Sequence, residues 1–181
     1  MAVPRLETAR LTLREWQEAD RVAFAALNGD PRVMEHFPAL LSRTESDSMA
    51  DRIVAHFDRH GHGLWAVEIP GVTAFAGFIG LNVPIFEAPF MPCVEIGWRL
   101  DATSWGRGYA REGAAAVLQW AFKVQRIAEV VSFTVPGNVR SRRVMEAIGM
   151  KQDLAGDFEH PLLPAGHRLR PHVLYRIASP R

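Results

Sequence analysis

The sequence predicts a mixed α/β domain, and three observations carry that reading. Apolar runs with the two-residue period of strands alternate along the chain with runs of helical period. A strand comes first, and most helices fall between strands. Pro and Gly clusters punctuate the runs as single connections, with no low-complexity linker between them. The chain has 181 residues, enough to bury most of its unfolded surface in one core, so residues 1–181 are expected to form one domain.

Arg10–Arg14 alternates polar and apolar residues and reads as a half-buried strand. Asp20–Leu27 follows as a helix, with Val22, Ala23, Ala26 and Leu27 on one face and Asn28-Gly29 as its stop. Pro31 fits the first turn of a short helix capped by Asp30. Thr44–Arg59 is a longer helix, with Ser42 or Thr44 as cap and Met49, Ile53, Val54 and Phe57 at helical spacing. Leu64–Ile69 and Thr73–Val83 are strands joined by the turn Pro70-Gly71. Gly77 and Gly80 in the second of them indicate a bulge or a close backbone neighbour. Val83–Pro92 is a long loop, and Cys93–Leu100 a central strand. The run from Trp105 to Phe122 becomes helical, with Tyr109, Gly113, Ala114, Val117, Leu118, Ala121 and Phe122 as its apolar stripe. Ala128–Val135 is β-branched and strand-like. Val139–Ile148 is a helix stopped by Gly149, and two closing strands lie near Met150–Leu154 and His172–Ile177.

Composition narrows the function. A formal net charge of +1 gives no support for nucleic-acid binding. No run of about 18 apolar residues predicts a membrane span, and Met1–Arg14 has no apolar core of the kind a secretory leader needs. Cys93 is the one cysteine, so an internal disulfide is excluded and a cytoplasmic setting is expected. Cys93 reads as a packing residue rather than a nucleophile. His56, His60 and His62 lack an accompanying carboxylate or cysteine cluster and read as solvated turn residues, so no metal is expected.

The chemistry concentrates after the central strand. Trp105-Gly106-Arg107-Gly108-Tyr109-Ala110-Arg111 joins that strand to a helix through a Gly-containing turn. The first helical N–H groups have no intrahelical partners and the helix dipole favours anions there. Gly106 and Gly108 allow close backbone approach, while Arg107 and Arg111 add positive charge. The loop therefore reads as a pyrophosphate grip. It is not a P-loop, for it lacks Gly-Lys-Ser/Thr, and it lacks the third glycine of a dinucleotide fingerprint. ATP is accordingly a weaker reading than another pyrophosphate ligand.

Trp105-x-x-Gly108-x-Ala110, after a Glu-bearing strand, resembles the acyl-CoA loop of the GNAT acyltransferase superfamily, (Gln/Arg)-x-x-Gly-x-(Gly/Ala), with Trp105 in place of the Gln or Arg. A second run about 30 residues on, Asn138-x-x-Ser141-x-x-Val144-Met145-Glu146-x-x-Gly149-Met150, resembles the family's later motif, with Met145 where many members have Tyr. The opening Thr8–Arg14 and the ending Phe158–Tyr175 are similar to one branch, that of the ribosomal-protein N-terminal acetyltransferases. The resemblance implies a strongly twisted mixed sheet, flanked by helices, whose central strands Cys93–Leu100 and Ala128–Val135 splay apart. It implies acetyl-CoA as co-substrate, its pantetheine arm bonded to the free backbone of Trp98, Arg99 and Leu100 and its pyrophosphate on Gly106–Arg111. Asn138, at the helix start, is a cap that can also touch the pantetheine. Glu95 is the candidate general base and Ser141 the candidate hydrogen-bond donor to the departing thiolate; a structural ion pair with Arg99 and a bond to the helix backbone are the respective alternatives. The partners implied are acetyl-CoA and an amine acceptor, either a small molecule or a protein N-terminus. A non-catalytic acyl-CoA-binding sensor is the alternative function. Monomer and homodimer are both open.

Overall fold

A computed structural model describes residues 3–180. Met1, Ala2 and Arg181, which belong to the expected domain span and in part to the segment read as leaderless, lie outside the described residues. The chain runs β1 (Leu6–Glu7), β2 (Thr12–Arg14), α1 (Asp20–Asn28), α2 (Arg43–His60), β3 (Leu64–Ile69), β4 (Thr73–Asn82) and β5 (Glu95–Leu100). It continues through α3 (Tyr109–Lys123), β6 (Glu129–Thr134), α4 (Val139–Ala147), β7 (Lys151–Gln152), β8 (Phe158–Glu159) and β9 (Pro171–Ala178). Among the described residues the nine strands order as β1-β2-β3-β4-β5-β6-β9-β7, with β8 paired to β9. Every pairing is antiparallel except β5 with β6. Those two strands are joined by a crossover containing α3, the connection a parallel pair requires.

That parallel pair organises the molecule. β4 and β5 pair in register along the whole of β5, whereas β5 meets β6 at one position only, Glu95 opposite Val131. Past Glu95 the two strands diverge, which is the splay the resemblance implies.

Helices cover both faces of the sheet. On one face α3 packs Val117 and Ala121 against a core that includes Leu11, Ile79, Leu81 and Ile96. On the other, α1 and α2 gather Phe24, Leu27, Ala50 and Ile53 over Phe78. The alternation of Phe78 with Ile79 shows β4 feeding both layers. Gly77 and Gly80 fit the expectation of close neighbours: a Cβ on Gly80 would stand 2.1 Å from the Gly63 carbonyl oxygen, and one on Gly77 2.0 Å from that of Arg99. The capping box of α2 uses Ser42, whose Oγ accepts from Glu45 N while the Glu45 carboxylate accepts from Ser42 N at 2.7 Å.

Two expectations are corrected, and two short strands were not expected. The segment after Pro31 is a chain of turns, because the Asp30 carboxylate takes the Arg32 N–H and backbone bonds there close isolated turns. Two of the histidines, His56 and His62, are not solvated turn residues. His62 is buried, and His56 Nε2 accepts the Val83 N–H at 3.1 Å, so its Nδ1 carries the proton donated to the His62 carbonyl at 2.8 Å. This ties the end of β4 to α2. The two-residue strands β1 and β8 carry too little pattern to read from the sequence.

A buried ion pair locks α1 to the sheet. Arg14 donates through Nη1 and Nη2 to the two carboxylate oxygens of Asp20 at 2.8 and 2.9 Å, and Nη2 also reaches the Ala74 carbonyl at 2.6 Å. Asp20 in turn accepts the Gln17 N–H at 2.8 Å. Asp20→Ala leaves a buried guanidinium without this partner and should cost about 3–5 kcal/mol, read as a lowered urea midpoint at unchanged slope. An unmoved midpoint would refute the role given to the pair.

Candidate active site

The splay opens a cavity of about 910 Å³ between β5 and β6. Its walls bring together twelve of the thirteen residues singled out in the sequence: Glu95, Trp98, Arg99, Leu100, Trp105, Gly106, Gly108, Tyr109, Ala110, Arg111, Asn138 and Ser141. Arg107 lies outside it, exposed, with its carbonyl accepting from Arg10 Nη1 at 2.9 Å.

The β5 edge is built first. Val131 N donates to the Val94 carbonyl at 2.9 Å, so the backbone groups of Val94 face β6. By the two-residue period, those of Ile96, Trp98 and Leu100 point the same way. Arg99 is therefore a correction: its backbone faces β4, where it pairs with Phe78, and it offers nothing to the gap. Leu100 is half engaged, its carbonyl accepting the Trp105 indole N–H at 2.9 Å. The Trp98 N–H and C=O and the Leu100 N–H face the gap with no strand opposite them. A pantetheine chain, carrying amides of its own, fits such an edge.

The loop below this edge is held from both ends. Asp101 accepts from Thr103 N at 2.9 Å and from Ser104 Oγ at 2.7 Å, fixing the turn that delivers Trp105. Gly106 and Gly108 have φ of +72° and +81°, and α3 starts at Tyr109 without a side-chain cap. The N–H groups of Tyr109, Ala110 and Arg111 thus stay available at the positive end of the helix. A brace that sequence reading missed holds the turn in place. Glu112 accepts from Thr8 Oγ at 2.7 Å and from Arg10 N at 2.9 Å, and forms an ion pair with Arg10 Nη2 at 2.6 Å. The partners are 104 and 102 residues apart, and the local sequence at neither end names the other.

Across the gap, Asn138 caps α4 by accepting from Ser141 N at 3.2 Å and donates to Thr134 Oγ at 3.0 Å. The Ser141 hydroxyl makes no hydrogen bond within the described residues, so the bond to helix backbone is not formed. Met145, where many GNAT enzymes have Tyr, is 1% exposed and packs in the core. Glu95 stands where the strands part. Burial raises its carboxyl to about 7, opposed by the Asn82 amide, which donates to it at 3.3 Å. It makes no ion pair with Arg99 among the described residues. Burial and the nearby Glu95 push the Cys93 thiol up to about 11, away from the thiolate form. No group of three metal-ligating side chains occurs among the described residues, and no described helix is long and apolar enough to cross a membrane.

A splayed parallel pair, an uncapped glycine-bounded helix start and a carboxyl at the fork meet in this cavity. Residues 10–151 match the acetyltransferase (GNAT) domain family, and the chain belongs to that family. It is 27% identical to the uncharacterized N-acetyltransferase YnaD of Bacillus subtilis over 95% of each chain. Among solved structures it is similar to an acetyltransferase from Agrobacterium tumefaciens, with TM-score 0.78, 30% identity and coverage of 98% of this chain and 95% of that one. It shares the fold of Mycobacterium smegmatis RimJ, solved with CoA-disulfide, with TM-score 0.77, 20% identity and coverage of 98% and 88%.

Gly108→Val should weaken acetyl-CoA binding about tenfold or more in calorimetry, since φ of +81° strains any Cβ and a Cβ there stands 3.4 Å from Arg10 Nη2. Unchanged affinity in a folded variant would refute the phosphate-loop assignment.

Proposed function

We propose that this acetyltransferase moves acetyl from acetyl-CoA onto a primary amine by direct attack, with Glu95 as general base. The observation that carries the reading is the place of Glu95: the last paired residue of β5 before the splay, on the sheet face turned to α1 and α2 and away from the α3 layer.

An alkyl amine with a pKa of about 10 arrives as ammonium at neutral pH. A carboxyl raised to about 7 is matched to taking its proton, directly or through one water. The negative charge that develops on the thioester oxygen is met by the backbone N–H groups left unpaired on β5. Ser141, with its hydroxyl uncommitted, supplies the hydrogen bond to the departing sulfur that a Tyr at position 145 would otherwise give. Asn138 holds the first turn of α4 so that Ser141 faces the cleft. Trp98 and Leu100 receive the pantetheine, and Gly106–Arg111 the pyrophosphate, with Arg111 adding charge. Arg107 contributes through its carbonyl, which Arg10 fixes.

The test is thiol release from acetyl-CoA against amines of different classes, followed by a pH profile on the best one. The slope of log kcat/KM against pH should fall by one as pH rises through about 7, because Glu95 must be deprotonated to accept the proton. Glu95→Gln should remove that break and lower kcat by about 10²–10⁴, with acetyl-CoA affinity retained. A break that persists in the variant would exclude Glu95 as the base.

A further inference from the structure

Arg99 is a cation without a counterion. Its residue is 8% exposed, and no described carboxylate lies within ion-pair distance of it. The contrast with Arg14, equally buried but held by Asp20 and Glu68, is plain. Arg99 Nη1 donates to Asn28 Oδ1 at 2.5 Å, and Asn28 is itself fixed because its Nδ2 donates to Ser46 Oγ at 2.9 Å. Asn28 is a neutral acceptor, so this chain orients the guanidinium without neutralising it. The ring of Phe37 lies 4.0 Å from the guanidinium carbon and that of Phe78 5.3 Å. Nε is buried with no hydrogen-bond partner, and Nη2 also bonds to no described residue yet is not sealed off as Nε is. Burial lowers the guanidinium only to about 10, so it remains charged at neutral pH.

The position of this group matters as much as its charge. Glu95, Gly97 and Arg99 share one face of β5 and all line the cavity. A Cβ on Gly97 would meet nothing within 4 Å, so the floor between the carboxyl and the guanidinium is open. Four strand residues separate the two ends by about 13 Å.

We infer that Arg99 is an anion seat in the acceptor half of the cleft, and that the acceptor is an amine that also carries a carboxylate. The amine lies over Gly97 toward Glu95, and the carboxylate takes Nη2, which Asn28 leaves free. This rests on the reading of Glu95 as the base. A carboxylate suits the seat better than a phosphate. The rings of Phe37 and Phe78 flank the guanidinium and leave its accessible nitrogen a narrow approach, which a flat carboxylate enters more readily than a tetrahedral phosphate. Polyamines and aminoglycosides bring positive charge to Arg99 and are disfavoured.

The experiment compares glycine, 5-aminovalerate, Gly-Gly and Gly-Gly-Gly, each with its carboxamide, as acceptors in thiol release. For at least one length the acid should have a KM about 10–100-fold below its amide at similar kcat. Arg99→Gln should erase that ratio and Arg99→Lys restore part of it, with acetyl-CoA affinity unchanged in both. Amides as good as acids in the wild-type protein, or a polyamine better than any acid, would overturn the inference while leaving the transferase reading intact. Where Arg99→Gln does not fold, the wild-type acid-to-amide ratio decides alone. Where no amine releases thiol, calorimetry of the same acids and amides on the CoA-loaded protein decides. A preference for acids supports the seat although the base assignment falls, and equal or absent binding overturns the seat.

Discussion

An unpaired strand edge in a protein interior is the constraint on which this structure depends. Backbone N–H and C=O groups removed from water need partners, and most strands find them on both sides. β5 finds them on the β4 side along its length and on the β6 side at Glu95 alone. Everything around the gap follows from keeping that edge both buried and available. α3 and α4 enter from its two sides, the loop before α3 leaves its first N–H groups uncapped, and the Thr8–Arg10 segment is tied to Glu112 so that the loop cannot collapse into the opening. β4, with glycines where neighbouring backbone approaches within van der Waals range, holds β5 flat against it while β6 turns away.

The same burial acts on two ionisable groups of opposite sign on one strand face. Desolvation raises Glu95 and lowers Arg99, the directions expected when the charged form of each loses water. The consequences differ. A carboxyl moved toward neutrality becomes able to exchange a proton near physiological pH. A guanidinium stays charged and becomes a demand for an anion. Gly97 between them keeps the floor clear. Their common cause explains why neither is paired with the other: four strand residues apart, they are beyond the reach of an ion pair, and each faces the cavity by itself.

Much of this was legible in the sequence. Capping chemistry placed α2 and α4, hydrophobic period placed α3, and Trp105–Arg111 placed the loop at the cavity, because these signals are local and their physics is complete within a few residues. What stayed illegible depends on partners distant in the chain. Whether Arg99 or its neighbours point backbone groups into the gap is fixed by which residue of β5 meets Val131, and a shift of one residue would invert the answer. His62, which looks solvated in a Gly-flanked turn, is buried, and His56 is tied to the end of β4 because α2 returns against it. The Asn28–Arg99 bond spans 71 residues and the Arg10–Glu112 brace 102, with no pattern at either end that names the other.

Trp105 shows how a departure from a family pattern can be absorbed. A Gln or Arg at this position offers a polar side chain to the cavity; an indole has a single donor and no acceptor. Here that donor goes to the Leu100 carbonyl, one of the groups the splay would otherwise leave open. The ring then carries the Arg140 guanidinium, whose carbon sits 4.4 Å from its centroid, and Arg140 forms an ion pair with Glu35 at 2.9 Å. The side chain thus links the β5 edge, the start of α4 and the turn segment between α1 and α2. On the proposed reading the grip on a pyrophosphate would fall to Arg111 and to backbone N–H groups, whose direction is set by glycine conformation at Gly106 and Gly108 rather than by side-chain identity.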